Sequence, residues 1–236
     1  FVHVDNDRTV FANGALVDVS EPGPGEHIYH WSMEGPIPSY LASVAATNYV
    51  AARDTFLSTA GNNVPVTLVA KPNDTTDMKA SFIHLHDAFD TFERWFGPYR
   101  WERVGYCLTT QGAMEHPTNI SYPVSIADGT LAYEETMAHE LAHHWFGDLI
   151  TCRRAEEMFI NEGYAEFLSY LFIEDLRGRA AYDAKIRENH HDMVATAHLK
   201  DNGWYALSAV PQEFTYGEHS YRKGADFAHT LRSYLG

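Results

Sequence analysis

The segment that most constrains this chain is His139-Glu140-Leu141-Ala142-His143, followed after 18 intervening residues by Glu162. The run from about Leu131 to Phe146 reads as a helix. On a helix, positions four apart differ by only about 40° around the axis, so both imidazoles project from one face and can share a tetrahedral metal. Glu140 lies beside the first ligand, where it can reach a metal-bound water without being a ligand itself, as a general base must. The chain holds 14 histidines in 236 residues. With so many, H-E-x-x-H alone has a chance expectation of roughly 6%, and requiring Glu at the one further spacing cuts this to roughly half a per cent. Glu162 falls on the next predicted helix, about Glu156 to Leu176. Two helices antiparallel across a short connection would set its carboxylate opposite the histidines, giving a His2Glu metal site with an open fourth position. The rival reading is an amphipathic helix pair with incidental histidines.

Residues 1–58 read as β structure, with short runs at Val2-His3-Val4, Ala15 to Val19, Ile28 to Trp31 and Tyr40 to Val44, broken by turn-rich Glu21-Pro22-Gly23-Pro24-Gly25. So small a sheet reads as the C-terminal part of a larger β domain. Residues 59–236 form the second predicted domain. It contains strands at Val64 to Val69, Val104 to Leu108 and Asn119 to Tyr122, a helix over Met78 to Phe96, and a last helix from about Tyr221. Strands first and helices after predict an α+β domain. His84 and His86, two apart, fall on different helix faces and read as structural.

Seventeen Lys and Arg against 32 Asp and Glu leave a net charge of −15, which argues against nucleic acid as a partner. The longest apolar run, Phe167 to Ile173, is far too short for a membrane span. Cys107 and Cys152 could form at most one bridge and cannot make a zinc site alone. The chain begins Phe1-Val2-His3-Val4-Asp5, with no initiator Met and no signal peptide. It therefore reads as a soluble chain whose native N-terminus is not present, with the compartment unknown.

The pattern H-E-x-x-H, 18 residues, then Glu within Asn161-Glu162-Gly163 resembles the gluzincin aminopeptidases of the aminopeptidase N and leukotriene hydrolase family. Gly112-Ala113-Met114-Glu115-His116 resembles that family's G-A-M-E-N motif, and Ser220-Tyr221-Arg222-Lys223-Gly224-Ala225 its Y-x-K-G-A segment. Trp145 to Thr151 resembles the stretch after the zinc helix. The resemblance implies a thermolysin-like zinc peptidase catalytic domain preceded by the end of a β-sheet domain. It also implies one zinc ion held by His139, His143 and Glu162, with Glu140 as general base and Tyr221 as oxyanion stabiliser. Glu115 would bind the free α-ammonium of a peptide substrate, and Gly112, Ala113 and His116 would contribute to substrate binding. Position 116 departs from the family pattern, which has Asn there. Further domains of the same chain, absent here, are implied as well.

Around this core, Glu166 lies four residues after Glu162 and would face the same way, either to orient a ligand imidazole or as a solvated carboxylate. His219, close to Tyr221, is a candidate for lining the cleft. Two other functions stay open at this point. The zinc machinery could hydrolyse internal peptide bonds or an epoxide, or the fragment could be an inactive peptide-binding module.

Overall fold

The computed structural model describes residues 1–235. Nine strands occur among them: β1 (Val2–Asp5), β2 (Thr9–Ala12), β3 (Ala15–Ser20), β4 (Glu26–Ser32), β5 (Val44–Thr47), β6 (Val50–Leu57), β7 (Asn63–Ala70), β8 (Val104–Thr109) and β9 (Ile120–Pro123). The helices are α1 (Thr75–Ser81), α2 (Leu85–Phe96), α3 (Glu134–Ala142), α4 (Glu162–Arg177), α5 (Arg179–Lys200) and α6 (Gly224–Leu235), joined by several 3-10 turns and a π turn at His219–Lys223. Strands precede most helices, as expected of an α+β chain. The fold divides into two compact units, residues 1–86 with 97–134, and residues 87–96 with the part from 135 onward.

The first unit contains all nine of these strands. β1, β4 and β3 form an antiparallel sheet in that order, β2 pairs with β5, and β6, β7, β8 and β9 make a four-stranded sheet. β6 and β7 are antiparallel, while β7, β8 and β9 run parallel. The parallel step from β7 to β8 needs a crossover, and α1 and α2 lie in that connection. Val104 through Leu108 of β8 are all buried, which explains why this strand reads as a continuous apolar run and not as an alternation.

Two sequence expectations change here. Met78 to Phe96 is not one helix: the backbone leaves helical geometry at Phe82, and Leu85 restarts it. The Phe82 ring packs edge-on against Tyr106 and Tyr122, at centroid distances of 4.7 and 5.1 Å, a burial that overrides the local helical periodicity. Tyr40 to Val44 is not a strand. Ser39–Leu41 is a 3-10 turn that buries Leu41 completely, and the strand begins only at Val44. His84 and His86 serve structural contacts: His84 Nδ1 is 2.7 Å from Glu134, and His86 stacks on Phe56.

The second unit is helical. Phe167 to Ile173 is the buried face of α4, which packs against α5 and α6, so the longest apolar run is core. Among the described residues no helix is long and apolar enough to cross a membrane. The helix read from Leu131 to Phe146 is shorter, because the backbone after Ala142 winds through tight turns such as Trp145 N–H to Ala142 O at 3.0 Å. α5 has no counterpart among the sequence expectations. Of its 22 residues only Tyr182, Asn189 and Ala197 are buried, too few to give a readable apolar stripe.

Candidate metal centre

α3 and the turn after it carry both histidines. His143 lies just beyond the helix, yet its N–H still reaches the His139 carbonyl at 3.3 Å, so the four-residue relation survives. The two Nε2 atoms are 3.1 Å apart, and Glu162 Oε2 lies 3.4 Å from that of His139 and 3.3 Å from that of His143. Donors held tetrahedrally at the usual zinc distances of about 2.0–2.1 Å stand roughly 3.3 Å from one another. The triangle therefore has the size of one face of such a tetrahedron. Its chemistry, two imidazoles and a carboxylate, suits zinc, and all three residues are buried.

Each imidazole is turned by a second hydrogen bond. His143 Nδ1 donates to the Phe146 carbonyl at 3.0 Å, so its Nε2 lone pair faces the triangle. Gly147 makes that bond possible, because its φ is +134° and a Cβ there would stand 2.6 Å from His143 Nδ1. His139 Nδ1 donates to Glu166 Oε2 at 3.1 Å. Half-buried Glu166 thus spends its carboxylate on orienting the His139 ring and not on solvent alone. Its other oxygen accepts the Tyr170 hydroxyl at 2.7 Å. Burial and the neighbouring Glu166 charge push the Tyr170 phenol far up, which keeps it a donor.

The charges interlock. Burial alone would lower the His139 pKa, but the Glu162 and Glu166 carboxylates, with Glu140 nearby, hold it well above its ordinary value. Burial would raise Glu162, yet His143 and His139 hold it well below the usual carboxylate range. Without metal, the site thus stabilises positive charge where a cation would sit.

α4 reaches the ligands through Asn161-Glu162-Gly163. The Asn161 side chain is buried, accepting the Cys152 N–H at 2.9 Å and donating to Thr151 Oγ1 at 3.2 Å, which ties the start of α4 to the loop after α3. Gly163 meets Gly224 backbone to backbone: a Cβ on Gly163 would lie 2.5 Å from Gly224 Cα. This contact brings the segment before α6 against the start of α4. The Tyr221 ring stacks on His139 with centroids 5.9 Å apart and planes 13° from parallel. Glu140 is buried on α3 beside the first ligand. A cavity of about 370 Å³ is lined by Glu166, Tyr221 and Arg222 among others. A larger groove of about 880 Å³ on α5 and α6, lined by Val194, Leu207 and Phe227, contains none of the ligand set.

His219 does not line a cleft. It is completely buried, with Nδ1 donating to Asp201 at 2.6 Å and Nε2 accepting the Tyr205 N–H at 3.2 Å. The first unit holds Gly112, Ala113, Glu115 and His116. Met114 exchanges two backbone hydrogen bonds of 3.0 Å with Ser121 of β9, occupying that strand's outer edge there. Glu115 is buried, and the His116 ring sits 3.2 Å from Ser121 Oγ. Burial pushes the His116 pKa down despite the neighbouring Glu115, which favours a neutral imidazole. Sequence reasoning misses Tyr170 and Asn189. Tyr170, four residues beyond Glu166, carries a helical-spacing signal, whereas Asn189 carries none.

Known proteins share this arrangement of elements. The chain is 26% identical to leucine aminopeptidase 2 of Chaetomium globosum over 99% of its own length and 39% of that protein's. It is also 26% identical to aminopeptidase N of Caulobacter vibrioides, over 100% of itself and 28% of the relative. The chain thus spans less than two fifths of the length of these relatives. Among solved structures, an M1 zinc metallopeptidase of Deinococcus radiodurans bound to Tyr-Ser-Ala superposes with a TM-score of 0.83 at 20% identity, over 99% of this chain and 51% of that one. Aminopeptidase A of Legionella pneumophila does so with a TM-score of 0.77 at 21% identity, over 97% and 27%. The fold is therefore that of the M1 zinc metallopeptidases. Residues 84–236, well over half of the chain, match the peptidase family M1 domain. The chain belongs to peptidase family M1.

Proposed function

We propose that this chain is the catalytic part of a zinc aminopeptidase that hydrolyses the N-terminal peptide bond of peptides. In this reading residues 59–236 form the catalytic domain and residues 1–58 the C-terminal part of a β domain. The observation that carries it is the 3.1–3.4 Å triangle of His139, His143 and Glu162 with the Tyr221 ring stacked beside it. The names of the relatives support the same activity.

His139, His143 and Glu162 hold the ion. When bound, zinc supplies a Lewis acid that polarises the scissile carbonyl and makes water acidic enough to attack near neutral pH. Glu140 takes the proton of the attacking water on its carboxylate and returns it to the leaving amine nitrogen. The Tyr221 hydroxyl donates to the substrate oxygen as it gains negative charge, a contact worth about 2.7–4 kcal/mol by analogy with other oxyanion donors. Glu115 pairs with the substrate's α-ammonium group, which an internal peptide bond lacks. A neutral His116 offers one donor and one acceptor, so it can partly stand in for an amide. Backbone groups of Gly112 and Ala113 bind the peptide. Further domains of the same chain complete the cleft, a reading that the greater length of the relatives supports.

The test compares an aminoacyl arylamide having a free amine with its N-acetylated form, using the full-length protein. Acetylation removes the cation and leaves a buried carboxylate unpaired. It is expected to lower kcat/KM by roughly 10²–10³. Equal rates for the two substrates would remove Glu115 from this role and contradict an aminopeptidase.

A further inference from the structure

Tyr221 lies in the π turn His219–Lys223, where the Gly224 N–H reaches back to the His219 carbonyl. Such turns are intrinsically less favourable than α-helix and need outside support. If this one relaxed to α-helix by a one-residue shift, Tyr221 would rotate by about 100° around the axis, away from His139.

The side chains of Asp201, Lys223 and Asn189 hold the turn. Asp201 accepts the backbone N–H groups of Glu218 and His219 at 3.1 and 2.9 Å. Lys223 Nζ donates to the Tyr205 carbonyl. Asn189, from the middle of α5 and 1% exposed, donates through Nδ2 to the Arg222 carbonyl at 2.9 Å and to Asp226 Oδ1 at 2.8 Å. Those two acceptors fix the orientation of the amide, so its oxygen faces Tyr170. The Tyr170 hydroxyl donates to Glu166 Oε1 at 2.7 Å, with Asn189 Oδ1 as a longer second acceptor at 3.1 Å. Glu166 in turn holds His139 Nδ1. A continuous path of polar contacts runs from a metal ligand, through Glu166, Tyr170 and Asn189, to the residue next to Tyr221.

We propose that Asn189 is a positioning residue that keeps the π turn carrying Tyr221 in register with the carboxylate that orients His139, so that the oxyanion donor and the ligand set share one frame. This rests on the reading of Tyr221 as oxyanion donor. Satisfied buried networks of this kind rigidify a site, and their loss typically costs roughly 10- to 100-fold in activity.

The test uses the full-length protein and Asn189→Leu, which keeps the branched outline of the side chain and removes the hydrogen bonds. The expected result is a roughly 10- to 100-fold fall in kcat with KM within about threefold, unchanged zinc content, and faster amide exchange over residues 219–224. Combined with Tyr221→Phe, it should add less than about twofold, since the hydroxyl it positions is gone. Wild-type kcat, or the same multiplicative loss in both backgrounds, would overturn the proposal. If Tyr221→Phe alone keeps wild-type kcat, the oxyanion reading fails instead. The positioning claim is then decided by exchange, and unchanged protection at 219–224 overturns it. Should Asn189→Leu not fold, Lys223→Met releases the same turn from its half-buried side. It must show the same kcat loss, absent in the Tyr221→Phe background, or the proposal is wrong.

Discussion

Glu140→Gln in the full-length protein is expected to lower kcat by about 10²–10⁴-fold while leaving zinc bound. Gln matches Glu in shape and helix propensity, so α3 and the imidazoles of His139 and His143 should stay where they are. What is lost is a carboxylate able to accept a proton from water and pass it to the leaving amine. Glu140 is not among the three residues whose donor atoms converge, so metal content should be unaffected. The check is kcat on a free-amine arylamide together with metal analysis of the same sample. A variant that kept more than a tenth of the activity would show that another group is the base. One that lost its zinc would show that Glu140 is part of the metal centre.

Gly163→Ala is expected to lower both stability and turnover, and the sign of the first effect is the informative part. On an open helix surface, Gly to Ala stabilises by about 1 kcal/mol. At Gly163 the new Cβ would meet Gly224 Cα at 2.5 Å, Gly224 C at 2.8 Å and the Ser220 carbonyl oxygen at 2.8 Å, all of them backbone atoms. No side chain can rotate out of the way, so the start of α4 and the segment before α6 must separate. Overpacking of this kind costs about 1–3 kcal/mol and occasionally more. Glu162 precedes Gly163 and Tyr221 follows Ser220, so the separation also moves the proposed metal ligand from the proposed oxyanion donor. A displacement on the order of 1 Å can cost about 10² in rate. Thermal unfolding and kcat of the variant test both halves. A raised melting temperature with wild-type turnover would mean that the two glycines are not a spacing device.

The legible parts of this chain are those governed by local periodicity. The four-residue step between His139 and His143 and the placement of Glu162 on the next helix follow from helix geometry, and the structure brings their donor atoms together. Strand-like runs such as Val64 to Val69 and Val104 to Leu108 appear as β7 and β8. Where tertiary burial competes with periodicity, the sequence misleads: Phe82 interrupts an otherwise regular helical pattern to reach Tyr106 and Tyr122. α5 is invisible in the sequence because a helix with a mainly polar surface carries no apolar stripe, and Asn189 is hidden with it. Glu166 stands on the correct face, but spacing alone does not distinguish solvent from an imidazole 3.1 Å away. The reason for glycine at 163 and 224 lies in a contact between segments some 60 residues apart, which no local pattern encodes.

The most direct test of the central claim, that the site of His139, His143 and Glu162 runs hydrolysis through one zinc ion, is to follow bound zinc and aminoacyl arylamide turnover together. The full-length protein is stripped by a chelator and then reloaded stepwise. Turnover should vanish with the metal and return in proportion to it, reaching its maximum at about one zinc per chain. Full turnover by metal-free protein, or none by protein carrying one zinc per chain at this site, would contradict it.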